Sequence, residues 1–98
     1  MRERDIEKYL GKKVKEIGGS TFKITSPGAA GFPDRLVVLP GIMFFCEVKA
    51  PGKDLRPLQE IMIQHLLSFG IEVVVVDSKA GVDTICRIYK EVLENAKQ

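Results

Sequence analysis

Two apolar runs separated by a Pro-Gly pair dominate the segment GFPDRLVVLPGIMFFCEVKAPG, which spans residues 31–52. This pattern predicts a β-hairpin with strands at 35–39 and 42–49. Charged side chains stand at the ends of both runs, where burial is costly unless the charges are paired or bind a metal. Because side chains alternate faces along a strand, Glu47 and Lys49 must point to the same side of the sheet. The hairpin therefore predicts a group of charges at one end of a buried sheet.

The hairpin register would bring a second carboxylate to the same place. If Leu39 faces Ile42 across a tight turn, Asp34 faces Glu47, with their Cβ atoms about 4.5–5.5 Å apart. Two carboxylates at that distance repel one another, so they need a shared proton or a divalent cation between them. A Pro-Gly pair favours a type II turn, which matches hairpin twist poorly, so a longer loop with a shifted register is the alternative.

Periodicity along the rest of the chain predicts the element order α-β-β-β-α-β-α. Besides the hairpin, the predicted elements are a helix at 3–17, a strand at 20–25, loops at 26–33 and 50–55, a helix from Pro57 to Phe69, a buried strand at 71–76, and a last helix that begins at Asp77 or Ser78. The last helix has an apolar stripe formed by Ile85, Ile88, Tyr89, Val92 and Leu93. This order implies an α/β fold, a mixed β-sheet flanked by helices. With 98 residues, the chain is expected to form one domain over residues 1–98.

The helix predicted at 57–69 carries one polar residue where apolar residues are expected. At about 100° per residue, its apolar arc is formed by Leu58, Met62, Ile63, Leu66, Leu67 and Phe69. Gln59 lies near the centre of that arc, and Ile61 lies outside it. A buried glutamine needs hydrogen-bond partners, which an adjacent polar site would supply. The alternative is a satisfied core glutamine with no catalytic role.

The first helix has a similar feature, because two acidic residues lie on or beside its apolar side. The apolar stripe consists of Ile6, Leu10, Val14 and Ile17. Glu3 lies within this stripe and Glu7 lies at its edge, so either could add a third carboxylate to a metal site. The alternative is that acidic residues are simply favoured in a first helical turn by the helix dipole.

Charge and composition narrow the class of protein. The net charge of +2 is too small by itself to indicate nucleic-acid binding, but residues 1–57 hold 11 Lys and Arg against seven Asp and Glu, which suits a polyanionic substrate. Cys46 and Cys86 lack the spacing of a disulfide framework or a zinc site and are expected to be small buried hydrophobes. His65, the single histidine, is expected to be solvated and leaves little basis for Ser/His or Cys/His catalysis.

The sequence also bears on localisation. Its longest apolar stretches fall far short of the roughly 20 residues that cross a bilayer. The N-terminus, MRERDIEKYL, is charged and unlike a signal peptide. We therefore expect a soluble protein of the cytoplasm without a membrane partner.

Three short motifs together resemble a known nuclease signature. Gly31-x-Pro33-Asp34-Arg35, Glu47-Val48-Lys49 and Leu58-Gln59 are similar to the PD-(D/E)XK signature of virus-type replication-repair nuclease (VRR-NUC) domains. The loop Lys23-x-x-Ser26-Pro27-Gly28 is similar to that of standalone phage and bacterial members, and the resemblance covers nearly the whole chain. The family implies a restriction-endonuclease-like core (αβββαβ plus a C-terminal helix) and Mg²⁺- or Mn²⁺-dependent cleavage of DNA phosphodiesters. Standalone members act as homodimers on branched DNA, especially four-way (Holliday) junctions, in bacterial or phage-infected cells.

The resemblance also implies roles for individual residues. Asp34 and Glu47 would bind the cation together with the main-chain carbonyl of Val48. Lys49 would orient or deprotonate the attacking water, and Gln59 would support that water or the metal shell. Arg35 could contact phosphate or Glu47. Further phosphate contacts are expected on loops that flank the site, with simple solvation as the alternative, from Lys23, Ser26, Lys53 and Arg56.

Two other functions fit part of the sequence. A non-catalytic module that binds DNA junctions or ends would account for the basic first half but leaves Asp34, Glu47 and Lys49 without a purpose. A sequence-specific restriction-type endonuclease would share the chemistry but would normally carry extra recognition elements. Because neither a recognition helix nor a zinc module is evident, DNA structure is the expected cue.

Overall fold

The computed structural model describes residues 1–96 and has the predicted α/β fold and order of elements. The helices are α1 (Glu3–Glu16), α2 (Pro57–Ser68) and α3 (Lys79–Ala96), and the strands are β1 (Ser20–Lys23), β2 (Arg35–Leu39), β3 (Ile42–Val48) and β4 (Val73–Val76). The strands form a mixed sheet in the order β1-β2-β3-β4. The β1–β2 and β2–β3 pairs are antiparallel, and the β3–β4 pair is parallel.

The first and fourth strands are shorter than predicted. β1 ends at Lys23, and beyond it the Ile24 N–H donates to the Asp34 carbonyl at 2.8 Å before the chain turns into the loop at 24–34. β4 begins at Val73 because the Ile71 N–H donates instead to the carbonyl of Leu66 at 3.1 Å, which closes the end of α2. The bond of Ile24 continues the β1–β2 register by one residue, whereas the bond of Ile71 competes with strand pairing and delays the start of β4.

The other boundaries differ from the prediction by about one residue. α1 and α2 stop before Ile17 and Phe69, whose N–H groups bond to carbonyls three residues back. β3 stops at Val48, although the next N–H, that of Lys49, donates to the Val76 carbonyl at 2.9 Å. α3 begins after Ser78, whose Oγ accepts the N–H of Gly81 at 3.0 Å as a helix cap.

The β2–β3 hairpin has the predicted register. Leu39 pairs with Ile42, and Arg35 pairs with Cys46 at the far end of the ladder. Gly41 has a φ of 75°, the left-handed value that the third residue of a type II turn requires. The tight turn is therefore retained despite its poor match to hairpin twist, and the register is not shifted.

One face of the sheet packs against α1 and α3 to form the hydrophobic core. The core residues are Ile6, Leu10, Val14, Val37, Leu39, Phe44, Cys46, Val48, Val76, Val82, Cys86 and Tyr89. Both cysteines are buried, as predicted. The predicted stripe of α3 is partly wrong, since Ile88 and Val92 are 46% and 43% exposed. The helix is rotated so that Val82, Cys86 and Tyr89 point inward, a spacing of four and three residues.

The opposite face of the sheet is covered much less completely, because α2 is the one helix packed there in residues 1–96. The predicted apolar arc of α2 is wrong at its edges: Leu58, Leu67 and Phe69 are exposed, and the buried residues of this helix are Gln59 and Ile63. Because α2 is a single helix that packs beside β4, only a narrow stripe of the surface of α2 is buried. Within the part of the chain that the structure describes, no helix has the length and apolarity needed to cross a membrane.

Candidate active site

The hairpin and its neighbours bring three charged residues to one end of the sheet. Asp34 stands one residue before β2 and is held there by its carbonyl, which accepts the N–H of Ile24 at 2.8 Å. Continuing the hairpin register by one residue places Asp34 opposite Glu47, the penultimate residue of β3. Glu47 is only 5% exposed. Lys49 follows directly after β3.

Gln59, which is buried at the first turn of α2, contacts both Glu47 and Lys49. Its Nε2 donates to Glu47 Oε2 at 3.4 Å, and its Oε1 accepts a hydrogen bond from Lys49 Nζ at 3.2 Å. The same Oε1 accepts the N–H of Arg56, the residue that caps α2, at 2.8 Å. This last bond is one half of a capping box, which fixes the side chain relative to the helix end. Gln59 thus has the polar partners that its position on the core side of the helix predicts.

Gly31 allows the loop before Asp34 to pack closely against the start of α2. Its φ is 81°, and a Cβ atom at this position would overlap the backbone of Leu58 and lie 2.8 Å from the Gln59 nitrogen. No side chain fits in that space, so the glycine of the motif is needed for close contact between backbones. The sequence marked this glycine, but not its contact with α2.

The two carboxylates of the hairpin are held in an environment that disfavours their charged forms. Burial, followed by the nearby Asp34, raises the pKa of Glu47 to about 7, although Lys49 acts in the opposite direction. Burial, followed by the charge of Glu7, raises the pKa of Asp34. The Oδ1 atom of Asp34 is buried and has no hydrogen-bond partner among residues 1–96. Hard carboxylate oxygens that lack partners fit a divalent cation such as Mg²⁺.

Two further carboxylates come close to Asp34 from the first two turns of α1. One oxygen from each of Glu3, Glu7 and Asp34 can be chosen so that all three lie within 4.8 Å of one another. Glu7 also accepts a hydrogen bond from Arg35 Nη2 at 2.9 Å, and both side chains are about one-fifth exposed. Glu3 has no comparable partner within residues 1–96.

Arg35 therefore contacts Glu7 and not Glu47, whereas its predicted contact with phosphate stays a prediction. Strand alternation places Arg35 beside Cys46, on the face that α1 covers, whereas Glu47 points to the other face. Its Nε is buried without a partner in the described residues. The pairing of a helix residue with a strand residue 28 positions away leaves no periodic signal in the sequence.

The other predicted phosphate contacts lie around this site. Lys23 is exposed at the end of β1 and close enough to Asp34 to oppose the rise in its pKa. Arg56 is exposed and acts on Glu47 in the same direction. Ser26 and the exposed Lys53 lie in the flanking loops at 24–34 and 49–56.

Among residues 1–96, exposed cations are not confined to the loops that flank the site. The outer side of α1 carries four further exposed cations, Arg4, Lys8, Lys12 and Lys15. The apolar stripe that predicts this helix gives no indication of them. A helical wheel of the polar residues would have found them.

Comparison with known proteins shows that the chain is similar to nucleases. No protein-family model matches the chain. "Putative nuclease p44" of Acyrthosiphon pisum secondary endosymbiont phage 1 is 46% identical over 80 residues, which are 81% of this chain and 86% of the relative. A solved structure described as a VRR_NUC domain matches with a TM-score of 0.81 and 29% identity, covering 91% of this chain and 99% of that one. Both similarities extend over most of the chain, so they concern the whole fold and not a single motif.

Proposed function

Because the chain belongs to the VRR-NUC family of nucleases, we propose that it is a Mg²⁺- or Mn²⁺-dependent endonuclease that hydrolyses phosphodiester bonds in branched DNA. The observation that carries the metal dependence is the pair Asp34 and Glu47. Asp34 Oδ1 is buried without a hydrogen-bond partner in the described residues, and the pKa of Glu47 is raised to about 7. A divalent cation would supply the positive charge that the site lacks.

Asp34, Glu47 and the main-chain carbonyl of Val48 would hold this cation. When bound, it would activate a water molecule and offset negative charge on the phosphate. Glu3 is the better candidate for an additional carboxylate, because Glu7 is already paired with Arg35. Arg35 would then fix Glu7 and leave Asp34 free to bind the metal.

Lys49 would supply a positive charge next to the attacking water and the phosphate. Its Nζ would orient the attacking water and offset the charge that develops on the phosphate in the transition state. Gln59 is a positioning residue, since its Oε1 accepts a hydrogen bond from Lys49 while its Nε2 donates to Glu47. These two hydrogen bonds hold Lys49 close to Glu47 and fix the relative positions of the two side chains.

A homodimer with one site per subunit fits this function. On the outer side of α2 and at the residue that follows its end, Leu58, Ile61 and Phe69 are exposed at 56%, 65% and 69%. Leu58, Ile61 and Phe69 lie within an arc of about 80° on this helix. A second copy of the chain would cover them, and a two-fold axis would present two sites to two strands of a junction.

A cleavage assay tests the proposed function. Labelled four-way junction, flap, splayed-arm and linear DNA are incubated with the protein in Mg²⁺, in Mn²⁺ and in EDTA. We expect metal-dependent cleavage that is fastest on the four-way junction and changes little when the arm sequences are permuted. Binding without cleavage in either metal would favour a non-catalytic module. Cleavage of linear duplex at one defined sequence, at a rate equal to or above that on junctions, would favour a restriction-type enzyme.

A further inference from the structure

The outer side of α1 presents a continuous basic face that the proposed chemistry does not use. Arg4, Lys8, Lys12 and Lys15 are all exposed, and at about 100° per residue they fall within an arc of about 80°. This arc contains no acidic residue. It lies nearly opposite the residues of α1 that are buried in the core, which are Ile6, Leu10 and Val14.

Among the residues that the structure describes, the cations of this face form no ion pairs. The ion pairs in residues 1–96 join Arg2 to Asp5, Lys13 to Glu16 and Arg35 to Glu7, and none of them involves the basic face. Neighbouring like charges on a helix repel one another by a few tenths of a kcal/mol per pair. An unpaired row of cations is therefore better suited to an external polyanion than to the stability of α1.

A groove beside the basic face offers room for such a polyanion. It is lined by Lys8, Gly11, Lys12, Lys15, Ser20, Thr21 and Phe22, and none of these residues is acidic. The β1 side of the groove is the edge of the sheet, since β1 pairs with β2 alone in the described chain. Gly11 keeps the floor of the groove low, because it has no side chain between α1 and Thr21.

The basic face leads away from the candidate active site. α1 begins at Glu3 and Glu7, whose carboxylates lie close to Asp34, and the cations continue along the helix to Lys15. At 1.5 Å per residue, the distance along the axis from Arg4 to Lys15 is about 16 Å. A DNA strand rises about 3.4 Å per phosphate, so four cations would face a run of about five phosphates.

We propose that the basic face of α1, with its groove against β1, binds the sugar-phosphate backbone of the DNA arm that extends from the cleavage site. This inference rests on the proposed function for its substrate, but it concerns binding and not hydrolysis. The face positions the arm by electrostatic contact and reads no bases, because its cations are flexible side chains that match phosphates along any sequence.

The test compares two double variants that change the net charge equally. Lys12→Gln/Lys15→Gln removes two cations from the basic face, and Arg87→Gln/Lys90→Gln removes two exposed cations from α3, so each lowers the net charge from +2 to zero. Binding of a fluorescent four-way junction is measured by anisotropy over a range of salt concentrations, in EDTA to prevent cleavage. We expect the slope of log Kobs against log salt to become shallower by about 1.8 for the α1 variant and to stay unchanged for the control.

A second measurement locates the contact on the DNA. Blocks of five phosphates in one arm are replaced by neutral methylphosphonates, and the block is moved along the arm. We expect one block position to weaken binding of the wild-type protein while barely affecting the α1 variant. A melting curve checks that each variant is folded, and Lys8→Gln/Lys12→Gln serves as a second variant of the same face.

The outcomes separate this inference from the proposed function. If both α1 variants bind with the same salt slope as the wild type, or lose no more than the α3 control, the basic face does not contact DNA, whatever the cleavage result. If the α1 variants lose affinity as expected and the wild-type protein cuts no DNA in Mg²⁺ or Mn²⁺, the nuclease mechanism fails and the binding face stands.

Discussion

Glu47→Gln should stabilise the metal-free protein while abolishing cleavage, because the carboxylate is held where its charge is unfavourable. The substitution keeps the shape of the side chain and keeps an oxygen that can accept the bond from Gln59 Nε2. It removes the repulsion from Asp34 and the cost of burying an ionised group. It also removes a metal ligand, so activity and stability should change in opposite directions.

The magnitude follows from the pKa. A rise from 4.5 to about 7 corresponds to a penalty of about 3 kcal/mol once the group is ionised in both states. Relaxation and water penetration lower the cost of a buried charge in a real protein, so we expect a difference of about 1–2 kcal/mol. For a domain of this size, that difference raises the melting temperature by at least about 4 °C.

The pH dependence has a definite sign. Below pH 4.5, Glu47 is protonated in both the folded and the unfolded states, and the wild type pays no penalty. Between 4.5 and about 7 the unfolded state releases its proton first, so the stability of the wild type relative to Glu47→Gln falls as the pH rises. Above about 7 the difference is constant, because the group is then ionised in both states.

Thermal melts in EDTA between pH 4 and pH 8.5 would measure this difference, with Glu91→Gln, an exposed residue of α3, as the matched control. Repeating the melts with Mg²⁺ at 100 times its dissociation constant should stabilise the wild type by about 2.7 kcal/mol and leave Glu47→Gln nearly unchanged. The reasoning is refuted if Glu47→Gln melts below the wild type at pH 8 in EDTA, or if the gap between them does not vary with pH.

Three other substitutions test separate parts of the molecule. Lys49→Ala should abolish cleavage with little change in the melting temperature, whereas parallel losses of both would indicate a structural ion pair. Gly31→Ala should destabilise the fold by at least about 1–2 kcal/mol from its left-handed backbone alone, and a chemical denaturation curve like that of the wild type would contradict the contact with α2. Ile61→Lys should convert a dimer into a monomer in light scattering, whereas Ile88→Lys on α3 should not, and a wild-type monomer at tens of micromolar, with or without DNA, would argue against the dimer.

The sequence by itself determined the features that depend on local periodicity. Alternation along two adjoining strands, with a two-residue turn between them, was enough to predict the register that sets Asp34 opposite Glu47. Helical spacing was enough to place Gln59 on the buried side of α2. These predictions hold because neighbours in the chain are rigidly related once the type of secondary structure is known.

The tertiary structure alone decided which distant elements meet and how much of each is covered. The pairing of Arg35 with Glu7 and the contact of Gly31 with the backbone of α2 join segments whose relative placement no local pattern encodes. The same is true of the exposed Leu58 and Phe69, because their burial depends on how wide a stripe one helix can cover against the edge of the sheet. Apolar periodicity indicates which side of a helix can be buried. The packing of whole elements decides how much of that side is buried.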